Sequence, residues 1–261
     1  MMLLLLVAIK CGGPNIQTNL PMCVFCLLAS VKTKKIAYAA SFGLDYWEEP
    51  KTDLKEKIQS SIKMFKAISV REDSGVNICK DIFDVDAVSV LDPTLLVQHK
   101  FYENITSKFK GQISQNIVYY KLDPDRSFNK NIGTISEMLN TDSENIYYKN
   151  EFGKRYFSNV YEWLAKIAGT KLVVTDSFHC TCFAIVFRKN FICVANEVRG
   201  LGRFRSLLSK FALENRLISE LSLANYEKLI ECTIDYSNIE KKMNGLRQNS
   251  INFLKNALTD L

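Results

Sequence analysis

Short apolar runs that end in polar turns constrain the fold of this 261-residue chain more than any other feature of its sequence. These runs occupy residues 35–40, 67–70, 87–91, 171–175 and 191–195. Runs of this kind are typical of buried strands, and stretches with helical spacing of apolar residues, such as residues 53–65, lie between them. Strands that alternate with amphipathic helices predict an α/β fold with parallel sheets.

Composition narrows the class of protein and of partner. With 47% hydrophobic residues the chain can bury a core of one large or two small domains. The formal net charge is +6, and residues 188–216 carry seven basic side chains against two acidic ones. Arginines in this segment suit phosphates and carboxylates, which favours a small anionic substrate or an anionic membrane surface. No basic stripe with interleaved aromatic residues accompanies them, so nucleic acid is not predicted as a partner.

The eight cysteines predict neither disulfides nor a metal site. The pairs Cys23/Cys26 and Cys180/Cys182 lack a second pair at the spacing of a zinc site, and reduced, buried thiols are expected. No cofactor is predicted. The first ten residues, MMLLLLVAIK, have no basic residues before the apolar run and no cleavage site after it, so they predict a buried strand.

The pattern along the chain predicts two α/β domains. Residues 101–114 are polar and rich in turns, and a new strand is expected over residues 115–122, which places a boundary near residue 105. The predicted domains are residues 1–105 and 106–222, followed by C-terminal helices over residues 223–261 that pack across them. Residues 123–150 are predicted to be irregular, and residues 158–167 to form a helix. Asp92-Pro93-Thr94 is predicted to form an extended turn.

The segment KLVVTDSFHCTC, residues 171–182, predicts a strand, a tight turn and a helix start. It places Ser177 and His179 at the carboxyl edge of a sheet, where open α/β sheets bind ligands. Amide groups at a helix start favour an anion, so an anion site with an acid or base beside it is expected. In the alternative interpretation, His179 is a hydrogen-bonded structural residue, and Asp176 and Ser177 only cap the helix.

Three arginines follow other predicted strands. Arg71 comes directly after residues 67–70 and either binds a ligand or is a surface arginine paired with Glu72 or Asp73. Arg199 and Arg203 lie in a glycine-containing loop after residues 191–195, ahead of a predicted helix over residues 204–211.

Five segments in order carry a resemblance to a known family. They are KKIAYAASFG (34–43), AISVREDSG (67–75), VLDPTLL (90–96), VVTDSFHCTCFAIVF (173–187) and RGLGRFRSLL (199–208). Together they resemble the polysaccharide pyruvyl transferase family of bacterial cell-surface polysaccharide synthesis, from about residue 34 to the C terminus.

The resemblance implies two Rossmann-like domains that face a cleft in a GT-B-like arrangement. It implies a cytoplasmic enzyme that moves pyruvate from phosphoenolpyruvate onto a sugar hydroxyl pair as a ketal. The implied acceptor is a glycan or lipid-linked oligosaccharide, and peripheral contact with the inner membrane face is expected.

The resemblance also assigns roles to particular residues. His179 and Arg71 correspond to catalytic positions, and Arg71 and Arg199, with Arg203 close behind, to donor-binding positions. Ser177 is expected to join the donor-binding residues because of its place at the sheet edge. Ser41, Phe42 and Gly43, in the turn after residues 35–40, are expected to form an acceptor-side loop. Arg71, His179 and Arg199 are expected to converge on one cleft.

Two departures qualify this assignment. Cys180 replaces a glycine that follows the family's histidine, and residues 1–33 contain no motif of the Gly-Ser-Asp-Gln type. A shortened, incomplete first domain is therefore expected. The alternatives are a truncated, weakly catalytic relative that binds glycan or anions, and a sugar-nucleotide glycosyltransferase.

Overall fold

The computed structural model describes residues 3–7, 34–47, 54–111, 113, 116–230 and 232–259, and it shows an α/β fold with parallel sheets. Among the described residues, no helix is both long enough and apolar enough to cross a membrane. In chain order the elements are β1 (Leu3–Val7), β2 (Lys34–Ala40), α1 (Leu54–Ile62), β3 (Ala67–Val70), α2 (Asp73–Phe83), β4 (Val88–Ser89), α3 (Pro93–Leu96), α4 (His99–Thr106), β5 (Ile117–Tyr120), α5 (Arg126–Met138), β6 (Ser143–Asn145), β7 (Tyr148–Glu151), β8 (Lys154–Phe157), α6 (Val160–Gly169), β9 (Leu172–Thr175), α7 (Phe178–Val186), β10 (Asn190–Val194), α8 (Gly202–Phe211), β11 (Leu217–Ile218), α9 (Leu223–Ile230) and α10 (Tyr236–Thr259).

The first sheet has the order β1-β2-β3-β4, and all its neighbouring strands are parallel. The predicted strand near the N terminus is confirmed as β1, which pairs with β2 along its whole length. Apolar side chains of α1 and α2, including Ile62 and Phe83, fill the core on one face. On the other face, Phe253 and Leu254 of α10 pack against Tyr38. Both faces are covered, which explains why β2 reads as a continuous apolar run.

The second sheet has the order β11-β10-β9-β5-β6 and is also parallel. Its central strand β9 is buried at every position, as the apolar run at residues 171–175 predicts. Phe128, Ile132 and Ile135 of α5 pack on one face together with residues of α9. Strands β7 and β8 form a separate antiparallel hairpin.

The chain divides into two compact units that interleave in sequence. The first contains residues 1–96, 197–212 and 240–261, and the second contains residues 97–196 and 213–239. A linear division into residues 1–105, 106–222 and 223–261 does not express this interleaving. Helix α10 contributes residues to both units.

Three local predictions are wrong. Residues 123–150 are not irregular, because α5 occupies their centre and Asp125 caps it by accepting a hydrogen bond from the Phe128 amide at 2.7 Å. Residues 101–106 are helical within α4. The turn expected at Pro93 is the start of α3, where proline is favoured because its missing N–H has no partner at a helix start.

Candidate functional site

A hydrogen-bonded turn connects β9 to α7 in the second unit. The Thr175 hydroxyl accepts a hydrogen bond from the Ser177 amide at 2.9 Å and donates one to the Tyr120 carbonyl at 2.7 Å. Ser177 is the N-cap residue of α7, but its side chain makes no capping hydrogen bond. Ser177 lines an open cleft instead. The interpretation in which Ser177 only caps the helix is therefore wrong.

Asp176 is a structural residue of this turn. It is buried, its Oδ2 lies 3.0 Å from Lys121 Nζ, and its Oδ1 accepts a hydrogen bond from the Leu122 amide at 2.8 Å. The Asn196 amide group donates to Oδ2 at 3.1 Å. These bonds tie the ends of three neighbouring strands together, so Asp176 holds the sheet edge and does not cap α7.

His179 lies in the first turn of α7 and is exposed. Together with Ser177 it lines the same cleft, which has a volume of about 430 Å³. Aromatic side chains form much of the remaining wall, and they are Tyr120, Tyr147, Phe157, Trp163 and Phe183. Exposure of an imidazole beside a helix start fits a chemical role better than that of a buried structural histidine. We name this feature the His179 cleft.

The cysteine that replaces the family's glycine does not enter the His179 cleft. Cys180 is fully buried, and its burial raises the pKa of the thiol to about 12. Its side chain lies in the protein core, so it does not narrow the space in front of the helix start. The described cysteines are free thiols, and no metal-ligating cluster of His, Cys, Asp or Glu occurs in the described part of the chain.

Arg71 follows β3 at the carboxyl edge of the first sheet and is only 4% exposed. Its Nη1 donates to Asp92 Oδ2 at 2.7 Å, and its Nε lies 4.0 Å from Glu72 Oε2. Burial raises the pKa of the Glu72 carboxyl group, and the charge of Arg71 opposes this shift. The interpretation of Arg71 as a surface residue is wrong, and Asp92 is its principal partner.

The predicted acceptor-side loop packs against this buried group. Ser41, Phe42 and Gly43 are all buried. Glu72 Oε1 accepts hydrogen bonds from the Phe42 amide at 2.6 Å and from the Gly43 amide at 3.4 Å. Glu72 thus fixes the loop through its backbone, and a φ of 83° at Gly43 explains the glycine there.

The arginine-bearing loop of residues 199–203 belongs to the same unit as Arg71. Gly200 has a φ of 77°, and a Cβ there would lie 1.9 Å from the Gly43 carbonyl oxygen. The loop therefore lies directly on the Ser41–Gly43 turn. Arg199 is exposed, and Arg203 is half-buried and donates to the Arg199 carbonyl at 3.1 Å.

The structure thus groups the predicted site residues by unit. Arg71, residues 41–43, Arg199 and Arg203 lie in the first unit, whereas Ser177 and His179 lie in the second. Asp92 was not predicted as a site residue, although the VLDPTLL segment contains it. The aromatic wall of the His179 cleft was not predicted either, and part of it comes from residues that were predicted to be irregular.

Comparison with known proteins is consistent with the fold and with the segments identified in the sequence. The family model described as polysaccharide pyruvyl transferase matches residues 5–198, which is more than half of the chain. The match begins well before residue 34, where the resemblance was expected to start, and it ends before the RGLGRFRSLL segment. A search of curated proteins found no match. The chain belongs to the polysaccharide pyruvyl transferase family, a family of transferase enzymes.

Proposed function

We propose that this protein transfers pyruvate from phosphoenolpyruvate onto two hydroxyl groups of one sugar, and forms a ketal. The observation that carries this proposal is the His179 cleft, in which an exposed imidazole stands at a helix start beside an aromatic wall. An acid, an anion-binding helix start and a surface for a sugar are the three elements that the reaction requires.

The proposed chemistry begins with His179 as a general acid. Imidazolium gives a proton to the methylene carbon of phosphoenolpyruvate, and one sugar hydroxyl adds to the adjacent carbon. The second hydroxyl then displaces the phosphate, which leaves as inorganic phosphate. Of the two hydroxyl protons released, one returns to the imidazole and the other leaves with phosphate, so the acid is regenerated.

Binding of the donor, phosphoenolpyruvate, is assigned to residues that can bind its phosphate and its carboxylate. In the second unit, the Ser177 hydroxyl and the amides that begin α7 favour an anion. In the first unit, exposed Arg199 and half-buried Arg203 can form charge-assisted hydrogen bonds. We also propose Arg71 as a donor-binding residue, although its guanidinium already donates a hydrogen bond to Asp92.

Acceptor binding is assigned to the aromatic wall. Tyr120 and Tyr147 have ring centroids 4.6 Å apart, and Trp163 meets Phe183 edge-on at 5.3 Å. Aromatic faces of this kind bury the apolar faces of sugar rings while the sugar hydroxyls stay accessible. The buried loop Ser41–Gly43 is proposed to shape the acceptor side through its backbone.

The β7–β8 hairpin supports the proposed contact with the inner face of the membrane. At its tip Phe152 is fully exposed, and Tyr156 and Phe157 are 49% and 63% exposed. Lys154 and Arg155 are exposed beside them. Aromatic side chains flanked by cations suit the surface of an anionic bilayer. We accordingly propose a GT-B-like enzyme that acts in the cytoplasm on a lipid-linked or growing glycan.

Replacement of His179 by asparagine tests the mechanism. In an assay of phosphate release from phosphoenolpyruvate with lipid-linked or model glycosides, His179→Asn should lower turnover by roughly 10²- to 10⁴-fold, with donor affinity little changed. The matched control is His99→Asn, because His99 is the other histidine and pairs with Glu103 on α4. The control should keep parental turnover. A folded His179→Asn protein with near-parental turnover would exclude His179 as the acid.

A further inference from the structure

A second cavity lies at the opposite edge of the second sheet from the His179 cleft. It has a volume of about 220 Å³, and Ile117, Leu172 and Ile192 from three parallel strands line it. Arg216, which precedes β11, Lys171, which precedes β9, and Tyr226 of α9 also line it. We propose that this cavity, the Arg216 pocket, binds a small organic carboxylate with a compact apolar body.

The charge of Arg216 is the first reason for this assignment. The side chain is buried, with 3% exposure, and its Nη2 donates to the Cys232 carbonyl. Its Nε has no hydrogen-bond partner, and no carboxylate pairs with it among the described residues. Burial lowers the pKa of the guanidinium, yet arginine stays protonated in proteins. A buried charge without a counter-ion is costly, and a carboxylate in the pocket would supply the counter-ion.

Tyr226 provides a second polar group in the same pocket. The side chain is 1% exposed, and its hydroxyl is buried without a hydrogen-bond partner among the described residues. Burial also raises the pKa of this phenol, so it remains a neutral donor. Buried polar groups in native proteins nearly always have partners, and a carboxylate that reached Arg216 Nε and the Tyr226 hydroxyl would give both groups one.

The remaining lining residues of the Arg216 pocket indicate the polarity and size of the uncharged part of the ligand. Ile117, Leu172, Ile192 and Leu229 present apolar side chains, whereas Asn116 and Lys171 lie where strands begin. The volume is below the roughly 300–1,000 Å³ that is typical of pockets for drug-sized ligands. The ligand is therefore small, with a carboxylate for the planar fork of arginine and an apolar group for the aliphatic wall.

The Arg216 pocket is separate from the His179 cleft. Lys171 precedes β9 and lines the pocket, whereas Ser177 follows β9 and lines the cleft. The strand's four residues span about 13 Å at the rise of a β-strand. A ligand at Arg216 therefore occupies a site of its own, and its binding can be measured without any turnover.

Calorimetric titration with benzoate and with benzamide tests the charge requirement. The two molecules share shape and size, and only benzoate is anionic. The parent chain should bind benzoate at least about tenfold more tightly than benzamide, since only the anion neutralises Arg216. Equal affinities for the two probes, or no binding of benzoate at about 10 mM, would refute the proposal.

Variants of three residues that line the cavity show where benzoate binds. Arg216→Gln should abolish the preference for benzoate, and Tyr226→Phe, which keeps the ring, should weaken benzoate binding about fivefold. Lys171→Gln is the control for unspecific attraction to an exposed cation at the same cavity, and it should keep the preference. If Lys171→Gln removes the preference and folded Arg216→Gln keeps it, the assignment to Arg216 is wrong. If Arg216→Gln does not fold, the comparison of benzoate with benzamide and the Tyr226→Phe variant still test whether the Arg216 pocket binds a carboxylate.

Discussion

Replacing Asp92 with asparagine removes the charge that neutralises Arg71. The two side chains are 1% and 2% exposed, and their closest atoms are 2.7 Å apart. Loss of one partner from a buried ion pair costs about 3–5 kcal/mol, because the other charge is left buried. We expect about 3 kcal/mol, the lower end of that range, since Glu72 still lies 4.0 Å from Arg71 Nε. This is about a hundredfold change in the equilibrium constant for unfolding.

The matched control removes the same charge from the surface. Asp84 pairs with Lys63 at 3.1 Å, but its side chain is 85% exposed. Asp84→Asn should change the free energy of unfolding by no more than about 0.5 kcal/mol, because exposed ion pairs contribute little. Asparagine also tolerates the left-handed backbone at this position, where φ is 53°.

Urea unfolding followed by tryptophan fluorescence measures the difference. Trp47 packs edge-on against Phe83 in the first unit, at 4.9 Å, and Trp163 lies in the second unit. In a Trp163→Phe background the remaining tryptophan therefore reports on the unit that contains Arg71. If Asp92→Asn destabilises that unit no more than Asp84→Asn does, Arg71 does not depend on Asp92. Its charge would then be available to a ligand.

Three further predictions concern a loop, the thiols and the hairpin. Gly200→Ala should lower the free energy of unfolding by about 2 kcal/mol, because of the positive φ and the close carbonyl, whereas Gly245→Ala in open space should raise it slightly. Similar effects of the two changes in urea unfolding would contradict this. Phe152→Ser should weaken binding of the protein to anionic vesicles about tenfold, whereas Phe101→Ser, at another exposed site, should not weaken it. If both variants lose the same amount of binding in a flotation assay, the hairpin is not the membrane contact. In the native protein, iodoacetamide should modify exposed Cys232 well before three buried thiols whose pKa is raised to about 12, namely Cys79, Cys180 and Cys193. Mass spectrometry measures the rates, and equal rates would contradict the burial of these thiols.

The strands were predictable because they are buried on both faces. Strands β2, β3, β9 and β10 lie within one residue of the predicted ranges. A strand between two helical layers needs apolar side chains at every position, and such a run is visible in sequence. Helix α5 was missed because a single apolar face, Phe128, Ile132 and Ile135, holds it in an otherwise polar stretch.

The site could be predicted only where one segment defines it. Ser177 and His179 follow a recognisable strand, so their position at a sheet edge could be inferred from sequence. The wall of the His179 cleft could not, since Tyr147, Phe157 and Trp163 come from separate elements that meet only through tertiary packing. Likewise, the partner of Arg71 lies 21 residues further along, beyond the next strand.

The basic run at residues 188–216 shows why a local charge count overstates an anion site. Arg205 lies 3.1 Å from Asp45, and Lys210 lies 2.9 Å from Asp73, so carboxylates of the first unit already neutralise both. Arg216 is in the second unit and lines a different cavity. We therefore propose that the same run serves two ligand chemistries in two places. A donor phosphate should be sought at Arg199 and the residues around it, and a carboxylate with an apolar body at Arg216.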